Sequence, residues 1–160
     1  MIQDIGGAFL KDPFGRGLVA SIAGAVAINI TEFILDLLNI SETTLWRAGG
    51  IFFLTEEAVA TPLGIFIGVI THAFVAIVVG LFISYFMLYT GTNYAVIKGI
   101  IISLFALFIT LGIVFPLRGL APEIHSFPND VLAAFIDHTV FGIIVGYIVK
   151  HLQEKRHKPA

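Results

Sequence analysis

The sequence predicts an all-α, polytopic membrane protein. It reads as a four-transmembrane-helix bundle with an interfacial segment after the first helix, in a single membrane domain over residues 1–160. Three observations carry this reading. Of the 160 residues, 58% are hydrophobic and 12% charged, about half the charge of an average domain at about 25%, and the mean hydropathy is +0.97. A soluble domain of this size has no means of hiding so much apolar surface, so the bilayer is the solvent that fits it. The apolar residues also fall into runs long enough for spans of roughly 20 residues. Finally, the basic residues divide unequally between the two sides those runs define.

Residues 1–16 are short, mildly amphipathic and broken by Pro13, with Phe9, Leu10 and Phe14 suited to headgroup depth. The first span is expected over about residues 17–40. Next comes SETTLWRAGGIFFLTEEAVATP, read as an interfacial loop or half-helix with Trp46 at headgroup depth. The second span is expected over 62–88, starting at Pro62, a residue suited to a first helical turn. No Lys, Arg, Asp or Glu occurs between Glu57 and Lys98. After the tight connection TGTNY, the third span is expected over 94–116. RGLAPEIHSFPND, with Gly119, Pro122 and Pro128, reads as a loop. The fourth span is expected over 130–150, with Asn129 or Asp130 as its N-cap, and HLQEKRHKPA is a basic tail.

Four spans place both ends on one side. That side holds Lys11, Arg16, Lys98, Lys150, Lys155, Arg156 and Lys158; the other holds Arg47 and Arg118. The bias predicts cytoplasmic termini and a multi-pass protein of the cell membrane. Three or five spans would spoil it. No cleavable signal peptide or lipidation signal is apparent, so insertion is expected to rely on the first span. The net charge of −2 and the lack of a basic, aromatic-interleaved stripe exclude a nucleic-acid partner. Absence of cysteine excludes disulfides and thiolate sites. No phosphate-cradling glycine loop, G-x-S-x-G or H-E-x-x-H occurs, and no enzymatic activity is expected.

Small residues recur at three- and four-residue steps. The second span carries Gly64, Gly68, His72, Ala76 and Gly80; the fourth carries His138, Gly142 and Gly146. The first carries Ser21 and Ala25, continuing through Asn29 to Glu32. Such faces let membrane helices approach closely, so Gly64, Gly68, Gly80, Gly142 and Gly146 are expected to pack helices. THAFVAIVVG (71–80) and DHTVFGIIVG (137–146) also share a pattern, a weak hint of two related hairpins.

Polar groups inside these runs are the candidate site, because charge in hydrocarbon is costly and marks paths or ligand sites. They are Asn29, Glu32, His72, Asp137 and His138. At ~1.5 Å per residue, Glu32, His72 and His138 lie roughly 12–15 Å below the outer surface, with Asp137 at about 10 Å and Asn29 at about 16 Å. Three helices thus contribute to one layer. Asn29, Glu32 and Asp36 share a face, with Asp36 nearer the surface. Asp137 and His138 point about 100° apart; His138 continues the Gly142–Gly146 face and is the expected inward residue, leaving Asp137 to face a neighbouring helix or protomer.

Several chemistries fit this layer. A proton or cation pathway is one, since histidine titrates near physiological pH and a carboxylate tunes it. A divalent metal site (Zn, Fe, Mn or Ni) on two histidines and carboxylates is another. A b-type haem between His72 and His138 is a third. The alternative is a structural polar network in a non-catalytic membrane assembly or anchor subunit. Four spans are few for a self-contained transporter, so a homo-oligomer or a partner membrane subunit is expected beside the lipid bilayer.

FGRGLVASIAGAVAINI, LWRAGGIFF, TNYAVIKGI and VFGIIVGYIVKHL together cover most of the chain's layout. In these segments the sequence resembles a group of small four-helix integral membrane proteins, of uncharacterised function, found in spore-forming bacteria and relatives. The resemblance implies four spans with a surface segment after the first, and no catalytic or binding residue.

Overall fold

Asp12 and Pro13 start the first long helix. Pro13 takes the first helical position, where its missing N–H is harmless, and the Asp12 carboxylate accepts from the Phe14 backbone N–H at 2.7 Å. This helix, α1, spans Pro13–Leu37. Pro13 therefore initiates the span rather than breaking it, and Arg16 falls inside the helix. Arg16 is fully buried and donates from Nη1 to the Lys11 carbonyl at 2.8 Å.

The fold comes from a computed structural model that describes residues 9–41, 45–122, 124 and 127–155. After α1 come two short helices, α2 (Leu45–Gly50) and α3 (Glu56–Val59), then the second span, α4 (Pro62–Thr90). Thr61 caps α4, its hydroxyl accepting from the Gly64 N–H at 3.1 Å. Gly91, at φ +75°, ends it. Lys98 Nζ then donates to the Thr90 and Gly91 carbonyls at 3.1 and 2.9 Å, satisfying groups the helix end leaves open.

The third span has three parts: α5 (Ala95–Leu107), a π-helical segment (Phe108–Val114) and α6 (Phe115–Arg118). Pro116 accounts for the change of winding. It has no N–H for the Gly112 carbonyl, and its ring crowds that carbonyl; Phe115 N–H already bonds the Thr110 carbonyl, five residues back. The last helix, α7, spans Pro128–Lys155. It begins before the expected caps, because Pro128 suits a first helical position; Asn129 and Asp130 lie in its first turn.

Four helices, Pro13–Leu37, Pro62–Thr90, Ala95–Arg118 and Pro128–Glu154, are long and apolar enough to cross a membrane. No strand occurs among the described residues. Large apolar side chains such as Ile22, Phe33, Phe66, Phe74, Phe82 and Phe105 point outward, the arrangement expected where lipid replaces water.

The first and last spans form the centre. α1 packs against both α4 and α7, and α7 packs against α5, while α4 and α5 touch each other sparingly. α2 lies against α4 on one side. On the other, Ala48 and Ile51 join Leu111 and Phe115 in an apolar cluster, and the Phe52 and Phe115 rings meet edge to face at 5.2 Å. The segment after the first span is thus a half-helix wedged between the second and third spans.

Glycine supplies these close approaches. A Cβ on Gly142 would stand 2.5 Å from the Ile100 Cα, and one on Gly146 would stand 2.6 Å from the Ala95 carbonyl oxygen. In α4 the predicted glycine row serves three partners: Gly64 lies under Ala58 and Val59 of α3, Gly68 under the Trp46 carbonyl of α2, and Gly80 under Ser21 of α1. Ser21 Oγ donates to the Gly17 carbonyl at 2.5 Å and Ser84 Oγ to the Pro13 carbonyl at 2.7 Å, so hydroxyls at the α1–α4 seam are satisfied without water.

Candidate functional site

Glu32 lies on the buried stripe Gly24, Ile28, Glu32, Leu35 of α1. Asp137 lies on the buried stripe Ala133, Asp137, Phe141, Val145 of α7. Lower down, Gly24 meets the Phe141 ring and Val145. That close seam sets the two stripes face to face and brings the carboxyls together.

Asp137 is fully buried, at 0% exposure, and neither carboxyl oxygen completes a hydrogen bond among the described residues. The Glu32 carboxyl is within interaction range of it. Two carboxylates carry only acceptors, so a bond between them forms only when one holds a proton. Glu32 Oε1 also accepts from Ser41 Oγ at 3.3 Å.

His72, on α4, lies under α2: a Cβ on Gly49 would stand 3.1 Å from the His72 backbone nitrogen. Its Nε2 is buried without a hydrogen-bond partner among the described residues. His138 lies close by. Its Nδ1 is 2.9 Å from the Ala134 carbonyl oxygen; since a carbonyl only accepts, Nδ1 is the donor, and in the neutral ring Nε2 keeps a lone pair.

All four side chains line one cavity of about 110 Å³. Asp130 and Ser41 add polar groups to the wall formed by α1, α7 and the turn after α1. The opposite wall, from α2 and the third span, is mainly apolar and includes Phe52, Leu111 and Phe115, with Thr110 its hydroxyl. No Lys or Arg is present among the described residues that line it.

The layer expected from depth is thus present in part. Glu32, His72 and His138 line one cavity, and Asp137, expected to face a neighbouring helix or protomer, faces α1 and lines it too. The helix α7 has two packed faces rather than one: Asp137, Phe141 and Val145 turn to α1, while Gly142 and Gly146 turn to α5. Asn29 leaves the layer. It is exposed, donates to the Ala25 carbonyl at 2.7 Å, and lines an open groove between α1 and α4 with Val69 and Ala73. The buried row runs through Ile28 instead, one residue and about 100° away. Asp36 is exposed one turn above Glu32.

Asp130, Ser41, Thr110, Phe52 and Phe115 also line the cavity, none of them among the expected site residues. Asp130 had a signal, since it precedes Asp137 by two turns on the same face. Ser41 comes from the turn after α1, Phe52 from just beyond the wedged half-helix, Thr110 from the π segment and Phe115 from α6 directly after it. Of the three histidines read as solvated, His151 is exposed and stacks on Tyr147 at 6.1 Å; His125 and His157 lie outside the described residues, as do residues 1–8 of the N-terminal segment and residues 156–160 of the basic tail. Among the described residues, no group of three or more His, Asp or Glu is placed to hold a metal ion.

The fold and the cavity define a class: a multi-pass, all-α membrane protein with acidic and imidazole groups enclosed between its spans. Comparison of the chain with protein-family models, with curated proteins and with solved structures gives no match.

Proposed function

We propose that the protein binds a cation in this cavity, or passes one across the bilayer, with the proton as the ion favoured. The observation that carries the reading is Asp137: buried beside Glu32, its carboxyl oxygens find no hydrogen-bond donor among the described residues other than a proton shared with Glu32. A network kept only for packing would use its acceptors, because an unused buried polar group costs about 1–3 kcal/mol. Two carboxyls in contact exchange a proton easily, and the imidazoles of His72 and His138 line the same cavity. The lack of a three-ligand cluster among the described residues favours the proton over a divalent metal. A haem between the two histidines has no geometric support. Both termini are proposed to be cytoplasmic on the division of basic residues, which puts Asp36 and the wedged half-helix at the outer side of the cell membrane.

Proteoliposomes carrying an internal pH dye and a potassium diffusion potential test this. Proton flux above empty vesicles is expected, falling at least tenfold in Glu32→Gln and Asp137→Asn. Flux equal to that of empty vesicles sinks the reading, and a stoichiometric metal in elemental analysis would replace the proton with that metal.

A second reading, a non-catalytic assembly or anchor subunit, draws support from Asn29. A side-chain amide exposed on an apolar flank beside Ala25 and Ala73 suits a helix–helix contact with a second copy or a partner subunit. Asn29→Leu would then shift the oligomeric state and leave proton flux intact.

A further inference from the structure

We infer that the cavity takes a small primary alkylammonium ion, which enters as a proton leaves the carboxyl pair. This names the ligand class of the proposed cation site and rests on that reading.

Three features of the cavity select this ligand. First, Glu32 and Asp137 have no Lys or Arg opposite them among the described lining residues. Their negative charge is therefore balanced by protons or by something that enters. Second, the unused oxygens match the donors of one group. An ammonium presents three N–H bonds; Asp137 offers two free oxygens, and Glu32 lies beside them. A bare divalent ion fits less well, since no group of three or more His, Asp or Glu among the described residues is placed to hold one. Third, the opposite wall is apolar and carries the edge-to-face pair Phe52 and Phe115. Such a wall is wasted on a hydrated ion but stabilises an alkyl chain.

Size sets the length of that chain. A cavity of roughly 150 Å³ lined by apolar side chains holds benzene, with its six heavy atoms. At about 110 Å³ this cavity is somewhat smaller, which suits an amine of about five heavy atoms, such as n-butylammonium. The exchange balances without a redox or covalent step: R–NH3⁺ enters, one proton leaves the Glu32–Asp137 pair, and the net charge of the site is unchanged. The proton leaves the cavity for solvent, so each ammonium bound is matched by one proton released.

Isothermal titration of the purified full-length chain in nanodiscs tests the inference, using n-butylammonium chloride in two buffers of different ionisation enthalpy. Saturable binding is expected, with about one proton released per site. Affinity should rise about fourfold per methylene from methyl- to butylammonium, the factor expected for burying each CH2, and then fall for longer chains. Tetraethylammonium, which has no N–H to donate to Asp137, and n-butanol, which has one O–H but no charge, should each bind at least tenfold more weakly. Asp137→Asn should abolish proton release. Leu111→Trp, which fills the apolar wall, should weaken butylammonium at least tenfold, with its melting curve verifying the fold.

No saturable binding, equal affinity for tetraethylammonium, or a flat chain-length series each overturns the inference. If proteoliposomes still conduct protons in that event, the proton reading stands and only the amine falls. If they do not, both fail.

Discussion

Asp137 of α7 and Glu32 of α1 meet carboxyl to carboxyl inside the bundle, and only Glu32 has a hydroxyl donor, Ser41. Replacing a buried charged cluster by neutral groups of similar shape is often neutral or stabilising, by about 1–4 kcal/mol. Asp137→Asn is therefore expected to raise stability in detergent by about 1–2 kcal/mol while removing flux, as removal of functional strain does elsewhere. A loss of stability in a chemical-denaturation series would instead mark Asp137 as a structural hydrogen-bonding residue.

Gly142 has the opposite character. Its Cα faces the backbone of Gly99 and Ile100, so a side chain has nowhere to go. Gly142→Ala is expected to destabilise the bundle by about 1–3 kcal/mol, the range for overpacking a tight seam. Gly91, where a Cβ meets nothing within 4 Å, is a different case. There the cost of an alanine comes from φ +75° alone, about 1 kcal/mol. Comparative unfolding of the two variants checks the order.

The half-helix α2 covers the cavity, and Gly49 seats it against Gly68 and His72. Gly49→Val should unseat α2 and open the outer side. The chain has no cysteine, so Thr110→Cys gives a single thiol in the cavity wall. Its reaction with an impermeant maleimide is expected to rise at least tenfold when Gly49→Val is added. Unchanged labelling would show that α2 does not control access.

Arg47 and Glu56 join α2 to α3 through two contacts on one carboxylate oxygen, at 3.1 and 2.7 Å. Both side chains are more than a third exposed, at 38% and 40%. Ion pairs of that kind contribute about 0–1 kcal/mol. A double-mutant cycle on Arg47→Gln and Glu56→Gln should give a coupling energy under about 1 kcal/mol, and a larger value would mean that the pair is shielded from solvent.

Pro116→Ala restores the missing donor to the third span. The π segment is then free to rewind as α-helix, turning Phe115 out of its contact with Phe52. Flux is expected to fall with little loss of helix content by circular dichroism; wild-type flux would separate the π segment from the site.

The spans were legible because charge is absent where lipid requires it to be, as between Glu57 and Lys98. Depth counted along each helix was enough to bring Glu32, His72 and His138 to one level. Direction around each helix was harder. The glycine row of α7 marks a packed face, but Asp137 sits on a second one, and small residues cannot say how many neighbours a helix has. Asn29 was misplaced for the related reason that three-residue and four-residue steps diverge by about 100°. Pro116 hinted at a disturbance in the third span, yet a proline permits a kink, a break or a π turn alike. Gly49 and Gly50 were the available clue that the outer segment lies close against another helix.

The central seam joins the first span to the last. During synthesis α1 must wait in the bilayer while α4 and the third span are made, and Glu32 gains its partner only when α7 arrives. Until then the nascent chain carries a carboxyl group in lipid with no matching helix. A chain that stops after Arg118 keeps three spans but lacks the seam and the Asp137 and His138 wall of the cavity, so completion of the bundle is tied to the final insertion step.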